Sequence, residues 1–67
     1  MYIIEEYIEV GYGFVLLGII PKVFASSDLA HANMNGYKKL TGEDNSYYFS
    51  NEVVTKVWKI RYLELAN

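Results

Sequence analysis

A run of seven apolar residues, Phe14–Ile20, constrains the fold of this 67-residue chain more than any other stretch. A strand with one face in water alternates apolar and polar residues, whereas a strand covered on both faces reads as a continuous apolar run. The run is too short to cross a bilayer, which takes about 20 consecutive apolar residues, and Pro21 and Lys22 follow it directly. We therefore expect Phe14–Ile20 to be the central strand of a small sheet.

The composition predicts one small domain that is stabilised neither by a disulfide bond nor by a structural metal ion. We take residues 1–67 as a single domain, and a domain of this size buries only about 60% of the surface that its unfolded chain exposes. The sequence has no cysteine and a single histidine, His31, which excludes a disulfide framework and a cysteine zinc site. We expect no cofactor and no metal ion, which leaves oligomerisation as the way to gain stability.

Charge near the amino terminus argues against a secretory signal peptide, which begins with a basic segment. Glu5, Glu6 and Glu9 precede the apolar run, and the first basic residue is Lys22. We therefore expect an unprocessed cytoplasmic protein that does not contact a membrane. Six Lys and Arg against eight Asp and Glu also disfavour non-specific binding to nucleic acid, because that binding is mostly electrostatic.

The first strand of the predicted sheet is Tyr2–Val10, which is rich in β-branched and aromatic residues. The glycines of Gly11-Tyr12-Gly13 tolerate the backbone of a tight hairpin, so we expect this strand to be the antiparallel neighbour of the apolar run. Its even-numbered residues are apolar apart from Glu6, and we predict that the even face points inward.

A helix is predicted from about Asp28 to Leu40. Ser26 and Ser27 offer capping oxygens, and Asp28 places an acidic side chain in the first turn. The residues that share one face at helical spacing are Leu29, Ala30, Asn33, Met34, Tyr37 and Leu40. Poor helix formers within this segment make the helix dependent on tertiary packing.

Two further strands complete the predicted fold. Tyr47–Phe49 is a short candidate, and Val53–Leu65 alternates so that Trp58, Ile60 and Tyr62 would face the helix. The last strand carries Lys59 and Arg61 on its outer face and the first carries Glu5 and Glu9, so we expect these two strands to be neighbours. The prediction is an α+β domain of ββαβ or ββαββ order, with one helix on one face of an antiparallel sheet.

The face without the helix is predicted to be apolar and to self-associate. A contiguous exposed apolar patch usually marks an interface, and two copies packed sheet to sheet would bury it about a twofold axis. We therefore expect a homodimer. The predicted self-association face consists of Val15, Leu17, Ile19, Val57 and Leu63. The alternative is that Tyr47–Phe49 or the carboxyl-terminal residues fold over this face.

Candidate catalytic groups are few. His31 lies three residues after Asp28 on the predicted helix, a spacing that suits an acid–base pair and equally a solvated helix surface, which we favour. Glu6 falls among inward-facing residues, where a carboxylate either acts in proton transfer or, as we expect, reaches a partner such as Lys56. We predict that the protein is not an enzyme.

Tyrosine and acidic residues predict a surface for a protein partner. Tyr offers a large contact area at low entropic cost and is enriched among the residues that dominate interfaces. The predicted partner-binding surface consists of Glu5, Tyr7, Glu9, Tyr12, Tyr47 and Tyr48. For Tyr47 and Tyr48 we favour packing within a strand over a role at an interface, and stacking against nucleic-acid bases is a further alternative.

In size, composition and the order of hairpin, helix and strand, the chain resembles the small, acidic, cysteine-free accessory proteins encoded by bacteriophages. Such proteins bind and block a host protein such as a defence-system component, a nuclease or a polymerase. The resemblance includes no specific motif, and it implies a stoichiometric inhibitor that acts by protein–protein contact. The alternatives are a self-associating structural or regulatory domain and a nucleic-acid-binding protein. The last of these would gather Lys38, Lys39, Lys56, Lys59 and Arg61 on one face.

Overall fold

The computed structural model describes residues 1–64, which form five strands and one short helix. In chain order the elements are β1 (Tyr2–Val10), β2 (Gly13–Ile19), α1 (Ser27–Ala32), β3 (Lys38–Lys39), β4 (Ser46–Ser50) and β5 (Thr55–Tyr62). The strands form one antiparallel sheet in the order β2-β1-β5-β4-β3. A small α+β fold with an antiparallel sheet is what the sequence predicts, but the order ββαβββ contains one strand more than expected.

The first and last strands, β1 and β5, are neighbours inside the sheet. Glu5 lies opposite Lys59, and Ile4 lies opposite Ile60. The charge pattern predicts this neighbourhood, since opposite charges across a strand pair stabilise it. Ile4, on the face predicted to point inward, has no exposed surface, but Ile3 and Glu5 on the opposite face are also buried, so β1 is covered on both faces near its start.

The prediction that Phe14–Ile20 is the central strand is wrong, because β2 lies at one edge of the sheet. Its five large apolar side chains are between 49% and 56% exposed. The physical reason is that the helix does not cover β2, because α1 has only six residues and contacts β1 and β5, not β2. The continuous apolar run therefore marks an exposed surface and not a doubly covered strand.

A β-bulge in β2 separates side chains that strict alternation would place together. Gly18 lies opposite Glu6 and Leu16 lies opposite Tyr7, so Leu17 is the extra residue. An extra residue in one strand reverses the alternation beyond it. Val15 therefore shares a face with Ile8, while Ile19 lies on the opposite face.

The helix begins as predicted and ends early. The Ser26 side chain caps it, because the backbone N–H of Leu29 donates to Ser26 Oγ over 3.3 Å. The predicted end at Leu40 is wrong: α1 stops at Ala32, and Gly36 adopts a φ of 82° that a helix does not allow. Lys38 and Lys39 then form the short strand β3 instead of a helical carboxyl end.

The core lies between α1 and one face of β1 and β5, which we call the helix face and define by Ile4, Glu6, Ile8, Trp58 and Ile60. Its buried centre consists of Ile4, Ala30, Met34 and Ile60. Of the predicted helix stripe, Ala30 and Met34 are buried, whereas Leu29 is exposed. The Tyr37 ring stacks on Trp58 with centroids 4.1 Å apart, which extends the core beyond the helix.

The carboxyl-terminal strand is shorter than predicted. It begins at Thr55, because Val53 and Val54 belong to a turn in which both backbone N–H groups donate to Asn51 Oδ1 over 2.8 Å. Trp58 and Ile60 face the helix as expected. Tyr62 lies on the same face by register, opposite Tyr2, but it is 59% exposed and its ring lies against Tyr2. Leu65, the predicted end of this strand, lies outside the described residues.

Candidate functional site

A groove of about 350 Å³ lies on the face of the sheet opposite the helix. We call this side the groove face and define it by Glu5, Tyr7, Val57, Lys59 and Arg61, which alternate with the helix-face residues along β1 and β5. The groove is lined by Tyr7, Phe14, Leu40, Glu43, Val57 and Lys59. Apolar walls with one acidic and one basic side chain suit a side chain or peptide that is largely apolar.

The charged residues of the groove face form one connected network. Arg61 Nη1 donates to Glu5 Oε2 over 3.0 Å, and the Tyr7 hydroxyl donates to Glu5 Oε1 over 3.3 Å. Lys59 Nζ lies 5.3 Å from the centre of the Tyr7 ring. Glu5 is therefore a buried carboxylate with two donors, which is the condition under which burial of a charge is tolerated.

Tyr7 is the residue that joins this network to the groove. Partial burial raises the pKa of the Tyr7 phenol above its ordinary value, and the negative charge of Glu5 and the hydrogen bond to it raise that pKa further. Tyr7 therefore keeps its hydroxyl proton at neutral pH and continues to donate to Glu5. The ring is held in place as one wall of the groove.

An apolar stripe on β2 borders the groove. Phe14, Leu16 and Ile19 lie opposite Glu9, Tyr7 and Glu5, which places all three on the groove face. Each of the three is about half exposed. Phe14 also lines the groove, so the stripe and the groove form one exposed surface of aromatic and aliphatic side chains, a composition typical of protein interfaces.

The structure does not bring the predicted self-association face together. Val15 and Ile19 lie on opposite faces because of the bulge at Leu17. Val57 is only 7% exposed and lines the groove. Leu63 is half-buried, and its backbone N–H donates to the carbonyl of Met1 over 2.8 Å. The exposed residues of the predicted face, Val15, Leu17 and Ile19, all lie on β2. They therefore share the edge strand of the sheet and not one of its faces.

Most of the predicted partner-binding residues do lie on one side. Glu5, Tyr7, Glu9 and Tyr48 are on the groove face by strand register. Tyr12 is fully exposed in the turn between β1 and β2. Tyr47 is the exception: it lies on the helix face, where its hydroxyl and His31 Nδ1 share a hydrogen bond of 2.7 Å.

The two candidate acid–base residues both have structural partners. His31 bonds Tyr47 and is half-buried, so the expectation of a solvated helix surface is wrong. Glu6 Oε2 accepts a hydrogen bond from Trp58 Nε1 over 2.8 Å and lies 3.7 Å from Lys56 Nζ. The expected Lys56 partner is therefore present, and Trp58 is an additional one.

The five basic residues of the nucleic-acid alternative are divided between the two faces. Strand register places Lys38, Lys59 and Arg61 on the groove face and Lys39 and Lys56 on the helix face. Arg61 and Lys56 are also paired with carboxylates. The arrangement does not produce the single basic face that the alternative requires.

Sequence reasoning did not place four residues at the groove or its apolar border: Phe14, Leu16, Leu40 and Glu43. The first two belong to the apolar run, and their pairing with Glu9 and Tyr7 in regular register from the hairpin turn places them on the groove face. Leu40 and Glu43 reach the groove because the chain leaves the helix early, before β3. The signal for that early end was present in Asn33, Asn35 and Gly36, which are poor helix formers.

Within residues 1–64 there is no group of three or more His, Cys, Asp or Glu side chains placed to hold a metal ion. The helix found in the same residues is not long and apolar enough to cross a membrane. Comparison with known protein families, with curated protein sequences and with solved structures gives no match to this chain.

Proposed function

We propose that this protein is a small protein-binding module that acts by contact and blocks a larger protein stoichiometrically. The observation that carries the proposal is the continuity of the groove with the exposed stripe of Phe14, Leu16 and Ile19. Exposed apolar patches rimmed by polar residues are typical of interaction surfaces. The resemblance to small phage accessory proteins suggests a host protein, such as a defence-system component, as the partner.

The groove supports this proposal by offering a place for an anchor residue. Binding energy in protein interfaces concentrates in a few apolar or aromatic side chains that fill pockets and exclude water. Phe14 and Leu40 supply the apolar walls, and Lys59 and Glu43 supply charges of both signs at the same groove. We infer that the partner contributes an apolar side chain flanked by polar groups.

Site-specific photo-crosslinking in a host lysate tests the proposal. A photoreactive phenylalanine analogue at position 14 should capture one protein, and the same analogue at Leu29 should not. Leu29 is a matched control because it is 55% exposed, against 50% for Phe14, and lies on α1 behind the sheet. The captured protein, once purified, should bind the wild-type protein in a ratio of one captured molecule to each chain.

Two variants then distinguish specific binding from non-specific attraction between apolar surfaces. Removing an interface anchor costs 2 kcal/mol or more, so Phe14→Ala should weaken the complex by about 30-fold or more. Leu29→Ala should leave the affinity unchanged. Equal capture from both positions, or equal affinity of both variants, would contradict the proposal, as would a complex that leaves the partner fully active.

A further inference from the structure

The turn between α1 and β3 contains the one Asn-Gly sequence of the chain, Asn35-Gly36, and both residues are exposed. The Tyr37 backbone N–H donates to the carbonyl of Met34 over 3.1 Å, which closes a four-residue turn. Gly36 has a φ of 82°, and within residues 1–64 no residue other than glycine has a positive φ. This is the backbone pattern of a type II turn, which requires glycine at its third position.

The backbone nitrogen of Gly36 is unhindered on the side of the Asn35 side chain. Its N–H donates no hydrogen bond within residues 1–64, and the Asn35 side-chain amide forms none within the same residues. Apart from its chain neighbours, no residue has an atom within 4 Å of the place where a Cβ on Gly36 would lie. Because glycine has no side chain, the nitrogen that follows an asparagine is most accessible in an Asn-Gly sequence.

The other asparagines of residues 1–64 lack this combination. Asn33 and Asn51 each use their side-chain Oδ1 as a hydrogen-bond acceptor. Asn45 precedes Ser46, which is only 5% exposed and whose backbone N–H donates a hydrogen bond of 3.4 Å. Within the described residues, Asn35 alone combines an unbonded side-chain amide with an open glycine nitrogen next to it.

We propose that Asn35 is a site of spontaneous deamidation, which converts it through a cyclic imide into isoaspartate and aspartate. The Gly36 nitrogen bonds to Asn35 Cγ, the bond from Cγ to the amide nitrogen breaks, and that nitrogen leaves as ammonia with the proton from Gly36. Water then opens the imide ring, at the main-chain carbonyl to give isoaspartate or at Cγ to give aspartate. The reaction needs no reactant other than water. This inference goes beyond the proposed function, because it concerns the turn after the helix and not the groove.

The modified residue lies beside the aromatic stack of the helix face. Asn35 lines a cavity of about 300 Å³ together with Tyr37 and Lys56, and the Tyr37 ring stacks on Trp58. Isoaspartate adds one carbon to the main chain of the turn, which moves the Tyr37 N–H away from the carbonyl of Met34. Aspartate adds a negative charge and leaves the main chain unchanged. Isoaspartate therefore loosens the stack, whereas aspartate preserves it.

Peptide mapping by mass spectrometry, after prolonged incubation of the folded protein in neutral buffer, tests the proposal. Asn35 should become an acid while Asn33, Asn45 and Asn51 keep their amides. An isoaspartyl methyltransferase should then transfer a labelled methyl group to the incubated chain. Asn35→Gln should lose nearly all of that labelling, because glutamine must close a larger ring, which forms more slowly. A free peptide of residues 34–38 gives the rate of conversion without the fold.

Tryptophan fluorescence provides a second readout, because Trp58 is the only tryptophan in the chain. Its emission should change in proportion to the isoaspartate formed. Freshly prepared Asn35→Asp is the matched control, since it carries the new charge on an ordinary main chain, and it should keep the emission of the wild type.

Four results would overturn the proposal. They are an intact Asn35 amide at a time when the free peptide has converted completely, earlier conversion of another asparagine such as Asn45, labelling retained in Asn35→Gln, and an unchanged Trp58 emission in chains that contain isoaspartate.

Discussion

Trp58 Nε1 donates a 2.8 Å hydrogen bond to Glu6 Oε2, which joins the two central strands on the helix face. The same Trp58 ring stacks on Tyr37. Trp58 therefore holds the half-buried carboxylate of Glu6 in place and also holds Tyr37, which lies in the segment that follows the helix. This relationship explains how an acidic residue is accommodated among the inward-facing residues of β1.

Trp58→Phe should destabilise the protein by about 1.5–3 kcal/mol, because Glu6 loses a donor to its charged carboxylate and the smaller ring loses contact area. Urea unfolding measures the loss. Glu6→Leu, which removes the acceptor at similar size, combined with Trp58→Phe separates the two causes, since the double-mutant cycle should show a coupling energy of about 1 kcal/mol. Strictly additive effects would show that the hydrogen bond does not contribute to stability.

Tyr47→Phe should cost about 0.5–1.5 kcal/mol, the usual net value of one hydrogen bond. The hydroxyl of Tyr47 bonds His31 Nδ1 and so ties β4 to α1. Tyr48→Phe is the matched control, because Tyr48 lies on the opposite face and its hydroxyl has no hydrogen-bond partner within residues 1–64. Equal urea midpoints for the two variants would contradict the assigned role of Tyr47.

Stability should fall as pH rises above about 10. Burial, and then the negative charge of Glu6, raise the pKa of Tyr37 above 10.0, its value without these effects. Above that pH the unfolded chain loses the Tyr37 proton while the folded chain keeps it, so unfolding becomes more favourable. Below about pH 10 this contribution is fully present.

The measurement is the urea midpoint at steps between about pH 9 and about pH 11. Tyr37→Phe should reduce the alkaline decline without abolishing it, because the pKa of Tyr7 is raised as well, whereas Tyr12→Phe should leave the decline unchanged, because Tyr12 is fully exposed. An unchanged slope in Tyr37→Phe would be evidence against the raised pKa as its cause.

Deleting Leu17 should leave a folded protein, since Gly18 and Leu16 would then continue a regular register opposite Glu6 and Tyr7. We expect a loss of less than about 2 kcal/mol, within the ordinary range of single changes. Deleting Tyr7 is the control: it shifts every later residue of β1 to the other face and should unfold the chain. A chain unfolded by loss of Leu17 would contradict the bulge assignment.

Local signals in the sequence predict much of this fold. The Gly11–Gly13 hairpin, the Ser26 cap and the pairing of β1 with β5 each follow from residues close to the feature or from complementary charge. These signals work because hairpins, caps and cross-strand pairs depend on a few side chains.

The position of β2 could not be predicted in the same way. A continuous apolar run describes equally a strand covered on both faces and a strand exposed for contact with another chain, and the sequence contains nothing that separates them. The bulge at Leu17 is followed by Gly18, and an isolated glycine inside a strand pattern is a sign of a bulge. The sequence interpretation did not use this sign, so it placed Val15 and Ile19 on one face, whereas the register places them on opposite faces. The groove also depends on Leu40 and Glu43, whose position follows from the early helix end.

Hydrogen exchange resolved by residue, at low protein concentration, tests the central claim that β2 is an accessible edge of the sheet and not its covered centre. At low concentration, β2 amides that point away from β1 should exchange rapidly, while those of Ile4 and Ile60 at the centre of the sheet stay protected. Protection of every β2 amide at low concentration would show that the strand is covered within the chain and would contradict the account.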